Sequence, residues 1–162
     1  MSKKVKKTEN LIYEEYLDDY EKYKKIYGEK TIVLMQVGGF YECYATDARG
    51  PNLKNFSKII HVVCSKKNKS IPEISINNPY MLGFPLISSP KFINILIENG
   101  FTVIIKDQKG SGDAITREVS DIVTPGVYID NIETDDSNYI ACIVLEEHKQ
   151  RNGSILLSAG MS

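Results

Sequence analysis

Apolar positions along the first 30 residues recur with the period of a helix. The tyrosines of this segment are spaced three and four residues apart, which places them on one stripe, at Tyr13, Tyr16, Tyr20, Tyr23 and Tyr27. An aromatic stripe at this spacing more often packs in a core, with its hydroxyls at the rim, than stacks on bases. The pattern predicts a helix that starts near Thr8, after a basic lead-in at residues 1–10, and that ends at Gly28.

After residue 30, short apolar runs separated by turn residues predict an alternation of strands and helices. The nearly continuous apolar run at 31–37 is typical of a strand covered on both faces. The segment 65–70 has the composition of a polar loop, and three prolines make 71–85 a loop or an edge strand. The pattern predicts strands at 31–37, 61–64, 101–105 and 119–124, and helices at 53–59 and 88–99.

This alternation predicts an α/β domain, a mixed β-sheet flanked by helices, over residues 11–128. The acidic, polar segment 129–138 has the composition of a linker. Residues 139–162 resemble two strands joined around Asn152 and Gly153, so we expect a C-terminal β-hairpin. Because the chain stops directly after the second of these strands, we expect the hairpin to begin a second, incomplete domain.

The charge is distributed unevenly along a chain of ordinary globular composition. Its 162 residues are 42% hydrophobic and 25% charged, with a formal net charge of −1, which excludes a polycation. Residues 1–70 hold 14 Lys or Arg and 9 Asp or Glu, a net of +5, whereas 71–162 hold 6 and 12, a net of −6. A nucleic-acid partner would therefore have to be recognised through the distribution of charge, not its total.

Several classes of chemistry find no support in the sequence. The three cysteines form no Cys-x-x-Cys pair and the two histidines have no ligand-like neighbours, which argues against a zinc site. A Walker-type phosphate loop and a Ser/His/Asp or Cys/His set are also missing. The odd cysteine count, with no signal peptide and no apolar stretch of membrane-spanning length, predicts an intracellular protein in a reducing compartment.

The most unusual local feature is two glycines followed by an aromatic residue at a strand end. Gly38 and Gly39 allow a sharp turn or a close approach of the backbone. Phe40 and Glu42, two residues apart in extended backbone, point in the same direction, and Tyr41 points oppositely. A ring beside a carboxylate can act as a wedge and a hydrogen-bond acceptor at a distorted base step. From these residues alone, a hairpin with Phe40 packed in the core is the more common arrangement.

Several motifs in register resemble one known family. Gly-Gly-Phe-Tyr-Glu-Cys-Tyr at 38–44 resembles the Gly-Asp-Phe-Tyr-Glu-Leu-Phe segment of MutS-type DNA mismatch-repair proteins. Met-Leu-Gly-Phe-Pro at 81–85 is similar to the family's Met-Ala-Gly-Ile/Phe-Pro, and the run at 117–127 resembles its Arg-(Lys/Glu)-Val…Ile-Val-Thr-Pro-Gly-Thr. Order and spacing agree over about 11–130, and 139–162 resembles the opening strands of the family's connector domain.

The resemblance implies a mismatch-recognition domain that enters the minor groove of double-stranded DNA at mismatches or small loops. It implies that Phe40 stacks on the mispaired base and that Glu42 hydrogen-bonds to it. Two departures weaken the match: Gly39 replaces an acidic residue, and Asp121 stands where many members have arginine. The full set of expected DNA-binding residues is Gly38, Gly39, Phe40, Glu42, Lys66, Lys67, Lys69 and Arg117.

The resemblance also implies functions that 162 residues cannot contain. MutS-type proteins dimerise and hydrolyse ATP with Mg²⁺ through C-terminal regions, so we expect no enzymatic activity, no cofactor and only weak, salt-sensitive DNA binding here. One alternative is a protein-interaction module that keeps the fold without mismatch sensing. Another is a Mg²⁺-dependent nuclease that uses carboxylates among Glu42, Asp47, Asp107 and Asp113, although the usual Asp…Glu-x-Lys arrangement is missing.

Overall fold

A computed structural model describes residues 2–110, 112–126 and 142–161. The chain divides into two compact units, Met1–Tyr128 and Ile129–Ser162. The first unit contains helices α1 (Ser2–Tyr27), α2 (Leu53–Ile60) and α3 (Ser89–Glu98), and strands β1 (Thr31–Val37), β2 (Phe40–Ala45), β3 (Ser65–Lys66), β4 (Tyr80–Pro85), β5 (Thr102–Lys109) and β6 (Thr116–Val123). Two single 3₁₀ turns, Leu86–Ser88 and Gly112–Ala114, precede α3 and β6.

The six strands form one mixed sheet in the order β3-β4-β2-β1-β5-β6. The neighbours β1 and β5 are parallel, and every other adjacent pair is antiparallel. The central position of β1 and β5 agrees with their apolar sequences, because strands covered on both faces cannot carry alternating polar residues. The predicted fold class, a mixed sheet flanked by helices, is confirmed.

Helix α1 packs its tyrosine stripe on one face of the sheet. The hydroxyl of Tyr16 donates to the carbonyl of Val33 at 3.1 Å. The ring of Tyr44 lies 4.8 Å from that of Tyr13 and 5.4 Å from that of Tyr16, measured between centroids. The prediction that the stripe belongs to the core is confirmed for its first three members, whereas Tyr27 is exposed because the stripe leaves the sheet near the helix end.

The other face of the sheet is covered by α2 and α3. The ring of Phe84 lies 6.3 Å from Tyr41 and 4.4 Å from Phe92 of α3. Tyr41 and Tyr44 are three residues apart on β2, so alternation of side chains sends them to opposite faces. Strand β2 therefore lies between two helical layers.

The predicted strand at 61–64 and the predicted start of α1 near Thr8 are wrong. The strand expected at 61–64 does not form, because His61 adopts a left-handed conformation (φ +55°) and its N–H closes α2 on the carbonyl of Ser57. The strand instead starts at Ser65, where a polar loop was expected. Helix α1 begins at Ser2, ahead of Thr8, since the lysine-rich lead-in holds no proline or glycine to prevent it.

The second unit contains an antiparallel hairpin of β7 (Ile143–Lys149) and β8 (Ile155–Met161). The predicted turn around Asn152 and Gly153 is confirmed, with Gly153 at φ +84°. The expected acidic linker at 129–138 lies outside the described residues. Within the described ranges, no helix is both long and apolar enough to cross a membrane.

Candidate nucleic-acid interface

The turn between β1 and β2 is a two-residue loop. Val37 pairs with Phe40 across the hairpin, which leaves only Gly38 and Gly39 to connect the strands. Gly38 has φ +60° while Gly39 does not have a positive φ, the pattern of a type II′ turn, in which glycine is preferred at the first position. A Cβ on either glycine would meet no described atom within 4 Å, so Gly38 is required for its backbone conformation and not for space.

Side-chain amides from two strands hold this turn in place. Gln36 donates through Nε2 to the carbonyl of Gly38 at 3.0 Å, and the N–H of Gly38 donates to Oε1 of Gln108 at 3.1 Å. The backbone N–H of Gln108 donates in turn to Oε1 of Gln36 at 2.8 Å. On the other side, the N–H of Leu86 donates to the carbonyl of Gly39 at 3.0 Å. The turn is therefore fixed on one side by β5 and on the other by the 3₁₀ turn that follows β4.

Phe40 lies directly after the turn and is 49% exposed. It is the first residue of β2 and pairs with Pro85 of β4. The aromatic side chains further along the same strand, Tyr41 and Tyr44, are buried. The alternative of a core-packed Phe40 is therefore wrong: the hairpin presents its ring at the surface.

Glu42 shares the face of Phe40, but its carboxylate is engaged. Oxygen Oε2 accepts hydrogen bonds from the hydroxyl of Tyr44 and, at 3.2 Å, from the ammonium of Lys67. The Glu42 side chain is only 13% exposed. Burial, the charge of Glu42 and the hydrogen bond to it raise the pKa of Tyr44 far above its usual value, so Tyr44 remains a neutral donor.

Gly83 gives this carboxylate its space. It stands opposite Glu42 in the β2–β4 ladder. A Cβ on Gly83 would lie 2.9 Å from the carbonyl oxygen of Tyr41 and 3.1 Å from Cγ of Glu42. Any larger residue at this position would displace the Glu42 side chain or the backbone of β2.

The four basic residues expected to contact DNA lie in different surroundings. Lys67 pairs with Glu42, whereas Lys66 donates to the carbonyls of Ile71 and Pro72, at 3.4 and 2.9 Å, and so anchors its own loop. Lys69 is exposed and makes no hydrogen bond or ion pair within the described part of the chain.

Arg117, the fourth, has a side chain only 9% exposed. Its Nε donates to the carbonyl of Gln36 at 2.8 Å, and Nη1 lies 3.9 Å from Oε2 of Glu15. Arg117 therefore supports the strand behind the turn, while the structure brings Gly38, Gly39, Phe40, Glu42 and Lys67 together.

Sequence reasoning missed the partners of these residues. Nothing in the pattern linked Lys67 to Glu42, because that contact crosses β4. Tyr44 lies two residues from Glu42 on β2, so the alternation of side chains places both on one face and could have indicated their contact. The polar Gln36, near the end of an otherwise apolar strand, was the one available signal for the support of the turn. Gln108 gave no such signal, since it lies in the polar end of β5.

The carboxylates considered for nuclease chemistry whose side chains the structure describes, Glu42, Asp47 and Asp107, do not form a metal site. Asp107 accepts a hydrogen bond from the hydroxyl of Tyr41 at 2.6 Å, and Glu42 is paired with Lys67. Among the residues that the structure describes, no three His, Cys, Asp or Glu side chains are grouped so as to hold a metal ion. The geometry gives the nuclease alternative no support.

The sequence that forms this sheet and hairpin matches the model of one family. Residues 16–132 match MutS domain I, and the chain belongs to this family. It is 33% identical over 154 residues to a putative DNA mismatch repair protein, a MutS homolog of Acanthamoeba polyphaga mimivirus. It is 29% identical over 161 residues to the DNA mismatch repair protein MutS of Ehrlichia ruminantium.

These alignments cover most of this chain and a small part of its relatives. Each of the two includes 93% of this chain, but only 14% of the mimivirus protein and 18% of the Ehrlichia protein. The MutS of Fusobacterium nucleatum is 33% identical over 133 residues, which is 78% of this chain and 14% of that protein. The chain thus spans less than a fifth of the length of these relatives.

Proposed function

We propose that this chain recognises mismatches and small loops in double-stranded DNA through the β1–β2 hairpin. The observation that carries the proposal is the half-exposed ring of Phe40, directly after a turn held by the side chains of Gln36 and Gln108. An exposed ring on a fixed backbone loses little conformational freedom when it inserts between bases. Glu42, on the same face, supplies an acceptor for a base edge.

The energetics of inserting the Phe40 ring favour a mispaired duplex over a correctly paired one. Stacking of a base on an aromatic side chain returns about 1–3 kcal/mol. Opening a base step costs a few kcal/mol and costs least where pairing is already weak. A single ring, Phe40, therefore gains net free energy mainly at a mispair, and it has little preference for any one base because every base has a face.

Electrostatic attraction in the isolated chain is modest. The net charge of the chain is −1, and of the three lysines at 66–69 only Lys69 has an ammonium without a described partner. Few neutralised phosphates mean weak binding that falls with added salt. We propose that tight binding, dimerisation and the use of ATP and Mg²⁺ belong to a longer MutS-like protein of which this sequence corresponds to the first domain.

The test is fluorescence anisotropy at low salt with a matched duplex and duplexes carrying a G·T mispair or a one-base loop. The wild type should prefer the defective duplexes, and Phe40→Ala should remove that preference, with a loss of about 1–3 kcal/mol. Ile26→Ala is the matched control, because Ile26 is an exposed apolar residue, 60% accessible, near the end of α1 and away from the hairpin.

Equal binding of wild type and Phe40→Ala to all three duplexes would contradict the proposal. That result would favour a protein-interaction module on the same fold. Loss of preference in Ile26→Ala as well would show a general effect on folding, which thermal unfolding of both variants measures directly.

A further inference from the structure

We propose that Lys67 is the charge-compensating partner of Glu42, and that its ammonium allows a carboxylate to lie at the DNA surface. The inference rests on the proposed mismatch recognition and extends it from Phe40 to the control of Glu42. Lys67 is then not one more phosphate contact: its contribution to binding depends on the presence of the Glu42 carboxylate.

The sheet order places Lys67 within reach of Glu42. Lys67 continues β3, and its N–H donates to the carbonyl of Pro79 at 2.9 Å, so its backbone is fixed beside β4. Its side chain crosses β4 to β2, passing Sδ of Met81 at 3.5 Å, and reaches Oε2 of Glu42 at 3.2 Å. Gly83, opposite Glu42, has no side chain to block this path.

The two donors to Glu42 converge on one oxygen. Lys67 and Tyr44 both bind Oε2, and the ammonium lies 5.8 Å from the centroid of the Tyr44 ring. Within the described part of the chain no donor reaches Oε1. The carboxylate is therefore oriented before any DNA arrives, with its second oxygen left for a donor on a base.

The charge balance explains why such a pair is needed. Duplex DNA carries one negative charge per about 1.7 Å of axis, so an uncompensated carboxylate beside Phe40 would be repelled from every duplex. The Glu42 side chain is 13% exposed and that of Lys67 32%, so solvent screens the pair only in part. With Lys67 in place, the hairpin approaches the phosphates as a neutral pair and keeps its acceptor.

Of the three lysines in this loop, only Lys67 pairs with Glu42 in the described part of the chain. Lys66 is committed to the carbonyls of its own loop, and Lys69 makes no described ion pair. Lys69 is two residues from Lys67, has the same charge and is exposed. It is therefore a matched control for any effect of removing one positive charge from this loop.

The experiment is a double-mutant cycle, read by anisotropy on G·T and matched duplexes. Lys67→Gln should weaken binding to the G·T duplex about ten-fold, because it leaves Glu42 uncompensated. In the Glu42→Gln background, the same change should cost only about two-fold, the loss of one exposed phosphate contact. Lys69→Gln should cost about two-fold in both backgrounds, and Lys67→Arg should retain most of the wild-type affinity.

Equal effects of Lys67→Gln in the two backgrounds would overturn the inference and leave Lys67 as an ordinary phosphate contact. Failure of the proposed function is separate: it shows as equal affinity of the wild type for the two duplexes, unaffected by Phe40→Ala. Thermal unfolding of each variant checks the fold, and Lys67→Arg retains the charge if Lys67→Gln proves unstable.

Discussion

At the scale of single residues, a buried side chain of α1 and one of β2 donate to the same carbonyl. The thiol of Cys43 donates to the carbonyl of Val33 at 3.2 Å, and the hydroxyl of Tyr16 donates to the same carbonyl at 3.1 Å. One carbonyl oxygen has two lone pairs, so it can accept both bonds. No buried side-chain nitrogen or oxygen among the described residues lacks a partner.

We expect Cys43 to resist a thiol-specific reagent between pH 7 and 9. Burial raises the pKa of Cys43 to about 12, so the reactive thiolate is scarce, and the sulfur is fully enclosed. Cys142 is exposed and should react first, with Cys64 slower because it is half-buried. Mass spectrometry of the labelled peptides over time measures the order, and early labelling of Cys43 in folded protein would contradict it.

The same shift predicts a pH dependence of stability. The folded pKa of Cys43 lies above that of the unfolded thiol, about 8.5, so its contribution is complete below that pH and is lost as pH rises toward 12. Urea unfolding of wild type and Cys43→Ala should show a difference in unfolding free energy that shrinks over this window. A constant difference would contradict the raised pKa.

At the scale of elements, the β1–β2 hairpin depends on two side-chain amides, which replace the backbone hydrogen bonds between β1 and β5 where the pairing of these strands has ended. The pairing of β1 with β5 ends at Met35 and Lys106, one residue before Gln36. Beyond it, the side chains of Gln36 and Gln108 provide the hydrogen bonds that a backbone ladder would have made to the turn. The position of Phe40 is therefore set by β5, a strand more than 60 residues away in the chain.

Gln108→Leu should loosen the turn without unfolding the domain. It removes the acceptor for the N–H of Gly38, and one such bond contributes about 1 kcal/mol. We expect the Gly38 amide to exchange faster with deuterium, by about five-fold, while the core amides of β1 keep their protection. The preference for mismatched duplex should decrease as the turn loosens. Unchanged deuterium exchange at Gly38 would show that the hydrogen bond to Gln108 does not hold the turn.

The predictions of helices and strands succeeded where the local sequence pattern agrees with the packing of that segment in the fold. The apolar run that became β1 and the tyrosine stripe of α1 are buried as predicted because their patterns fit a covered sheet. The strand expected at 61–64 does not form, because an apolar composition does not determine the φ of each residue. The left-handed His61 closes α2 through a bond to Ser57, a local geometry that composition does not show.

At the scale of the whole molecule, the hydrophobic core lies within the first unit. Its buried members run from Tyr13 to Val123, and none comes from the hairpin of β7 and β8. The described residues of that hairpin are all exposed, including Leu145 and Leu157. The first unit therefore has the core that independent folding requires.

A fragment of residues 1–128 should fold like the full chain. We expect its free energy of unfolding to lie within about 1 kcal/mol of the full-length value, and its DNA preference to be retained. The complementary peptide 129–162 should be largely unfolded, because an isolated two-stranded hairpin is marginal in water. Denaturant unfolding and circular dichroism compare the full chain, the 1–128 fragment and the 129–162 peptide. A 1–128 fragment much less stable than the full chain would show that the second unit stabilises the first.

The sequence by itself determined the α/β class, the helices, the central strands and the glycine hairpin that carries Phe40. These follow from periodicity and from backbone preferences, which act between near neighbours in the chain. Only the tertiary structure decided that Glu42 is paired with Lys67, and that Arg117 supports a strand. Such pairings depend on which strands become neighbours and on the direction of each side chain. The order of residues along the chain does not specify either of these by itself.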